Sequence, residues 1–208
     1  MGTTLEGALK AGLPPVGDLA LEKERLAAAA EDEGILDVGV GHLDSPIGRL
    51  FVAATEEGVV RIGLATESED ELLTELAASV SPRILGAPRR VDPTRRQLDE
   101  YFGGDRRSFS VPLDWRLTRG FRREVLEELV AVPYGETTTY SELAAEAGRP
   151  RAVRAAGTAL ATNPIPIIVP CHRVLRSDGS VGGYRGGSDA KRTLLALEGE
   201  SGTMPASG

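Results

Sequence analysis

Two prolines, Pro166 and Pro170, bracket the apolar run Ile167-Ile168-Val169. Proline lacks a backbone N–H and has a fixed φ, so the run cannot continue as a helix or as a central strand. It is expected to be a fixed, buried segment that presents the residues at its C-terminal end. Those residues are Cys171, the only cysteine among 208 residues, then His172, one of two histidines, then Arg173. A thiol is a nucleophile only as thiolate, and its pKa of ~8.5 falls beside an imidazole or a guanidinium. A lone cysteine is also commonly an inert, buried small hydrophobe. The rest of the chain has to decide between these readings.

Ahead of this segment lies a run of short apolar stretches, residues 35–43, 49–54 and 59–64. They are separated by Asp44-Ser45-Pro46-Ile47-Gly48 and Glu56-Glu57-Gly58. Such alternation of strand-forming and turn residues predicts a three-stranded antiparallel meander. In 67–79, Leu72, Leu73, Leu76 and Ala77 share one face of a helix. A second helix is expected at 93–102, with Asp92 as its cap and Pro93 at the first helical position, and another strand at 109–115. The fold class is therefore α+β. A small N-terminal antiparallel-sheet domain with helices, 36–115, precedes a mainly helical C-terminal domain, 118–200. Residues 1–35, with a helical stretch at 18–31, are expected to be a variable or partly mobile extension, and 201–208 a tail.

The C-terminal part opens with a helix at 121–132 that buries Phe121, Val125, Leu126 and Leu129. Thr138 or Thr139 can cap a helix at 140–147, Gly148-Arg149-Pro150 turns the chain, and another helix covers 152–162. Two short helices joined by a glycine-containing turn form a helix-turn-helix, although many helical hairpins bind nothing. Arg149, Arg151 and Arg154 cluster at the turn and at the start of the second helix, where free amides favour phosphate. Ala152, Ala155, Ala156, Gly157 and Ala159 leave that helix little bulk. Leu175 to Ser180 reads as a turn. Gly182-Gly183-Tyr184-Arg185-Gly186-Gly187 has the wrong order for a dinucleotide fingerprint, so no cofactor is expected and the loop reads as cover for a flat base. Ser188 is expected to cap a last helix, 189–198, with Leu194, Leu195 and Leu197 inward.

Whole-chain charge is -7, which by itself disfavours nucleic acid. Between Arg149 and Arg192, however, eight basic residues stand against two acidic ones, +6 in a chain whose remainder carries -13. A basic face on an acidic protein meets the requirement for phosphate contact. One cysteine excludes an intramolecular disulfide and fits a reducing cytoplasm. No apolar run approaches the ~20 residues of a membrane span, and no secretory pattern opens the chain. Cys171, His172 and His42 are too few for a Cys/His zinc site, so no metal is expected.

Asn163-Pro164-Ile165-Pro166 leading into Pro170-Cys171-His172-Arg173-Val174 resembles the active-site signature of the O6-alkylguanine-DNA alkyltransferases. The resemblance runs from about Asp44 to Glu198. It implies repair of double-stranded DNA containing O6-alkylguanine, by transfer of the alkyl group to Cys171 in one irreversible turnover of a monomer. It implies that the second helix of the helix-turn-helix enters the minor groove and that Arg154 takes the place of the extruded nucleotide. It implies that Tyr140 donates a hydrogen bond to the base, that backbone groups of Cys171, Val174 and Arg185 read the guanine edge, and that Tyr184 walls the pocket. The family more often has a small hydroxyl residue at position 185, so a side-chain contact from Arg185 is in question.

Displacement at an alkyl carbon needs a nucleophile, a base and a proton for the leaving group. Cys171 supplies the sulfur, His172 is the natural base through a water, and Asn163 can fix the network and its turn. The resemblance makes Glu198 the group that orients the imidazole. Two other readings stay open: a helix-turn-helix module that binds lesions without chemistry, and a cysteine hydrolase built on Cys171, His172 and Glu198.

Overall fold

The structure, a computed structural model, describes residues 16–200. Helix α1 (Val16–Asp32) comes first, followed by strands β1 (Val38–Leu43), β2 (Leu50–Ala54) and β3 (Val59–Gly63). These strands form the expected antiparallel meander, with Gly41 paired to Val52 and Val52 to Ile62. Helix α2 (Glu69–Ser79) then leads to β4 (Ile84–Gly86), a short strand that joins β1 in parallel and makes the sheet order β3-β2-β1-β4. Three residues with no alternation give no sequence signal, so this strand was not expected. The 18–31 helical stretch is present within α1, where Ala27 and Ala30 are buried with Leu36 and Ala87. The other residues of the expected extension, 1–15, and the tail, 201–208, lie outside the described residues.

Helix α3 (Pro88–Phe102) corrects the expected helix at 93–102. Its buried stripe is Val91, Thr94, Leu98 and Tyr101, and the first of these precedes Pro93. Pro88, and not Pro93, occupies the first helical position. Pro93 lies inside, where it has no N–H to donate to the carbonyl four residues earlier. Close packing on the sheet explains why the extra turn forms. A Cβ on Gly41 would stand 2.7 Å from Val91 Cγ2, so glycine lets the helix settle directly on β1.

The expected strand at 109–115 is not formed. Val59 makes a single bridge to Leu113, its N–H donating to Pro112 O at 2.9 Å and its carbonyl accepting from Asp114 N at 2.8 Å. Pro112 cannot donate to a ladder, and Asp114 then caps a 3-10 turn, Trp115–Leu117, by accepting from the Arg116 N–H.

In the C-terminal half, α4 (Phe121–Val130) packs on α5 (Tyr140–Glu146) and α6 (Val153–Ala161). Helix α4 ends two residues before the expected boundary, and Phe121 is only half-buried while Val125, Leu126 and Leu129 are fully enclosed. Thr139 caps α5 through a reciprocal pair, its hydroxyl accepting from the Glu142 N–H and its own N–H donating to the Glu142 carboxylate. Gly148, at φ 73°, turns the chain between α5 and α6. A two-residue strand before α5, β5 (Thr138–Thr139), pairs in parallel with β6 (Val174–Leu175), which ties the helix-turn-helix to the segment just after Cys171. Helix α7 (Gly187–Glu200) begins one residue before the expected cap, so Ser188 lies inside it. One cluster of buried side chains runs from Leu50, Ile62 and Leu98 through Leu126, Leu143 and Ile165 to Leu194. The two halves are therefore packed against a shared apolar interior.

Candidate active site

The segment 163–171 is held by one side chain. Asn163 Oδ1 accepts from the Ile165 N–H at 3.0 Å, and Asn163 Nδ2 donates to Val169 O at 2.8 Å and to Cys171 Sγ at 3.2 Å. Between these anchors Ile167 adopts φ 76°. A β-branched residue in this region costs on the order of 1–3 kcal/mol and persists only where its surroundings impose it. Here the surroundings are burial of Ile165, Ile167 and Val169 together with the hydrogen bond from Val169 N to Ile165 O at 2.9 Å. The turn ends in a 3-10 helix, Cys171–Arg173, with Cys171 at its first position.

The sulfur is almost wholly enclosed. Burial pushes the Cys171 thiol up from its ordinary value, while the Asn163 amide and the nearby Lys191 and Arg185 cations pull it down. The net direction is upward, so the resting group is the thiol and a base is needed to take its proton. That base lies one residue on. His172 is fully buried, its Nε2 is 3.0 Å from Glu198 Oε1, and its Nδ1 has no hydrogen-bond partner among the described residues. Burial lowers the imidazole pKa more than Glu198 raises it, so the ring is neutral. With an ionised carboxylate at Nε2, that nitrogen must carry the proton, and Nδ1 presents a lone pair.

Glu198 is the anchor of the site. Its Oε1 accepts from Tyr101 Oη at 2.8 Å, His172 Nε2 at 3.0 Å and Arg173 Nη2 at 2.8 Å. Its Oε2 accepts from Arg173 Nε at 2.9 Å and from the Gly135 N–H at 3.2 Å. Burial alone would raise this carboxyl, but the hydrogen bonds from His172 and Arg173 outweigh it and hold the pKa at about 2. A single fixed anion therefore orients the imidazole and neutralises the Arg173 guanidinium, which also donates to Val132 O at 2.6 Å.

Cys171 opens onto a cavity of about 380 Å³ lined by Tyr140, Gly157, Leu160, Ala161, Gly183, Tyr184 and Arg185. The Tyr184 ring stands edge-on to His172 at 6.4 Å, and burial raises its hydroxyl well above the ordinary value. A Cβ on Gly182 would lie 2.5 Å from Tyr140 Oη, so this glycine admits the phenol to the cavity. Tyr140 and Tyr184 both line this cavity beside the sulfur.

Two family models match the chain, the ribonuclease-like domain of 6-O-methylguanine DNA methyltransferase over residues 38–115 and its DNA-binding domain over 120–200. A methylated-DNA–protein-cysteine methyltransferase of Mycolicibacterium paratuberculosis is 39% identical over 156 residues, covering 75% of this chain and 89% of that protein. The chain belongs to the 6-O-methylguanine DNA methyltransferase family. A mouse member of this family is 40% identical over 177 residues, with 79% of this chain and 83% of the mouse protein covered. The crystal structure of the Mycobacterium tuberculosis O6-methylguanine methyltransferase superposes with a TM-score of 0.69 at 37% identity, covering 82% of this chain and 96% of that one. The same mycobacterial protein in complex with DNA superposes at 0.67 and 35% identity, over 80% and 94% of the two chains.

Within this methyltransferase-family framework, the basic face is narrower than the sequence implies. Arg173 and Lys191 are buried. Arg173 turns to Glu198 rather than to the thiol, so the guanidinium expected to activate Cys171 serves the carboxylate instead. Lys191 Nζ donates to Val174 O at 2.6 Å, and the Val174 N–H donates to Cys171 O, so both backbone groups of Val174 have internal partners. Arg149 is exposed but lies 4.8 Å over the Phe121 ring and 3.6 Å from Glu124. Arg151, Arg154 and Arg176 are exposed and make no ion pair among the described residues. On α6, Ala155 is exposed while Ala152 and Gly157 are half-buried, and Ala156, Ala159 and Leu160 face inward.

Sequence reasoning missed two members of the site as such. Lys191 had a signal, because it shares a helical face with Leu194 and Glu198, and a lysine on a buried stripe needs a partner. Tyr101 had none, since its hydroxyl meets a carboxylate 97 residues away.

Proposed function

We propose that this chain repairs DNA by moving an alkyl group from O6 of guanine onto Cys171. The carrying observation is a buried thiol on the cavity wall, hydrogen-bonded by Asn163 and adjoined by a neutral His172 whose Nδ1 has no hydrogen-bond partner among the described residues. In this reading Cys171 gives its proton to His172 Nδ1 through a water. The thiolate then attacks the alkyl carbon in line, the S–C bond forms as the C–O6 bond breaks, and both electrons of that bond leave with guanine. Tyr140 Oη, placed on the cavity wall, donates to the ring as negative charge builds there. The proton held by the imidazolium returns to the base, so the products are guanine and S-alkylcysteine. Glu198 keeps His172 oriented and offsets its transient charge. No second thiol exists in the chain, and the reaction consumes the protein.

The cavity lies beneath α6, and a base stacked in a duplex cannot reach a sulfur this enclosed, so the nucleotide is flipped out. The exposed Arg151 and the N-terminal turn of α6 hold phosphates, the small residues Ala152, Ala155 and Gly157 admit α6 to the minor groove, and Arg154 fills the gap in the stack. The carbonyls of Cys171 and Val174, each with a second lone pair, and the backbone of Arg185 read the guanine edge, Tyr184 closes the pocket, and the chain divides into domains at 36–115 and 118–200. We place the protein as a monomer in a reducing cytoplasm, consistent with a thiol that must stay free. No helix among the described residues is long and apolar enough to cross a membrane.

Incubation with a duplex containing O6-methylguanine is expected to add one methyl to Cys171 by mass spectrometry, with uptake ending at one per molecule. Cys171→Ala removes uptake while duplex affinity survives. Repeated turnover, or methylation at another residue, overturns the reading. A module that only binds lesions would take up no methyl, and a cysteine hydrolase would turn over esters or amides without DNA.

A further inference from the structure

Glu67 lies between β3 and α2, and its carboxylate is where two guanidiniums meet. Oε1 accepts from Arg61 Nη2 at 2.6 Å and from Arg185 Nη1 at 2.9 Å, and Oε2 accepts from the Leu64 N–H at 2.9 Å. Arg185 reaches further, donating Nε at 3.2 Å and Nη2 at 2.9 Å to the carbonyl of Ala161, the last residue of α6. Its own carbonyl accepts from Thr66 Oγ1 at 3.0 Å. Side chain and backbone of Arg185 are thus both held by residues 66 and 67, while Ala161 and Arg185 each form part of the cavity wall. Burial opposes ionisation of Glu67, yet the Leu64 amide and the two guanidiniums keep its carboxyl below the ordinary value.

We infer that Glu67 is a positioning residue for the alkyl-transfer pocket, latching the wall at residues 183–185 to the C-terminal end of α6 through Arg185. This rests on the alkyl-transfer reading above. The wall needs such a latch. Residues 181–184 have no regular secondary structure and glycine stands at 182, 183, 186 and 187, so the loop has little conformational preference of its own. An arginine side chain also carries ~2 kcal/mol of rotamer entropy, which only fixed partners overcome. Freed from Glu67, the loop samples other conformers and the flipped base loses one wall. The phosphate contacts assigned to Arg151 and the start of α6 are untouched. The latch therefore acts on the reaction of bound DNA and not on the binding of the duplex.

The test is single-turnover transfer from an O6-methylguanine duplex, with protein in excess and its concentration varied. For Glu67→Gln the limiting rate per active molecule is expected to fall about tenfold, equivalent to ~1.4 kcal/mol. The half-saturating concentration and the duplex Kd stay within about twofold. Arg185→Lys, which keeps the charge but cannot span both acceptors, is expected to fall similarly, and the double variant no more than about twofold below either single one. Total methyl uptake counts active molecules, so a substitution that merely weakens folding lowers uptake and Tm and leaves the rate per active molecule unchanged. That result, or two effects that multiply, overturns the latch. A wild-type chain that takes up no methyl overturns the transfer reading and the latch with it. A reactive wild type beside an unimpaired Glu67→Gln overturns the latch alone.

Discussion

Replacing Glu198 by glutamine removes the carboxylate that Tyr101, His172 and Arg173 share while conserving its volume. The carboxyl titrates at about 2 in the folded chain against an ordinary 4.5, a difference equivalent to ~3 kcal/mol. The amide leaves the Arg173 guanidinium enclosed at 6% side-chain exposure without a counter-charge, a change worth about 3–5 kcal/mol. For a chain of this size, that lowers Tm by roughly 6–20 °C. Urea unfolding against pH supplies a second handle. Because the folded pKa is depressed, the contribution of Glu198 is complete above pH 4.5 and is lost as pH falls toward 2. Wild type is expected to lose that increment over the interval, and Glu198→Gln to lack it. Transfer should fall by roughly 10²-fold or more, as His172 loses the anion that orients it. A variant with Tm within about 2 °C of wild type, and a parallel loss of stability in acid, would refute the reasoning.

Asn163→Ala removes the donor to Val169 O and Cys171 Sγ and the acceptor for the Ile165 N–H. The strained turn at Ile167 then loses its tie, and urea unfolding should report a loss of about 2–4 kcal/mol together with slower transfer. Since burial lowers the His172 pKa below its ordinary 6.5, the imidazole remains a neutral base down through pH 6.5. The acidic limb of the transfer rate is expected below that value, and an inflection above it would contradict a buried neutral histidine. Arg151→Ala should weaken duplex binding uniformly across sequences and reduce the slope of log Kd against log salt by about one. Arg154→Ala should cut transfer more than binding, which gel-shift titration and quench assays separate.

The parts of the fold that were legible in the sequence depend on neighbours a few residues apart. Turn residues at 44–48 and 56–58 located the meander, and the 3.6-residue spacing of Val125, Leu126 and Leu129 located α4. Thr138 and Thr139 both read as possible caps because capping is a local hydrogen bond, and Thr139 takes the position. Errors arose where a long-range contact overrode a local preference. Asp92-Pro93 has the form of a helix start, but packing of Val91 against Gly41 extends α3 backwards. Residues 109–115 have strand composition, but with Pro112 the segment makes one bridge and then turns at Asp114.

The same division runs through the site. By itself the sequence determined that there is one cysteine, that a histidine adjoins it, that Pro166 and Pro170 forbid a regular element there, and that Asn163 stands eight residues upstream. Only the tertiary structure decided where the charges go. Arg173, adjacent to His172 in the chain, points to Glu198; Lys191, counted as surface charge, is buried against Val174 O; and Arg185 bridges Glu67 and Ala161. Backbone conformation is set mostly by local sterics, so proline, glycine and capping residues disclose it. The partner of a long cationic side chain is set by which acceptors folding encloses beside it, and a carboxylate 25 or 118 residues away leaves no local trace.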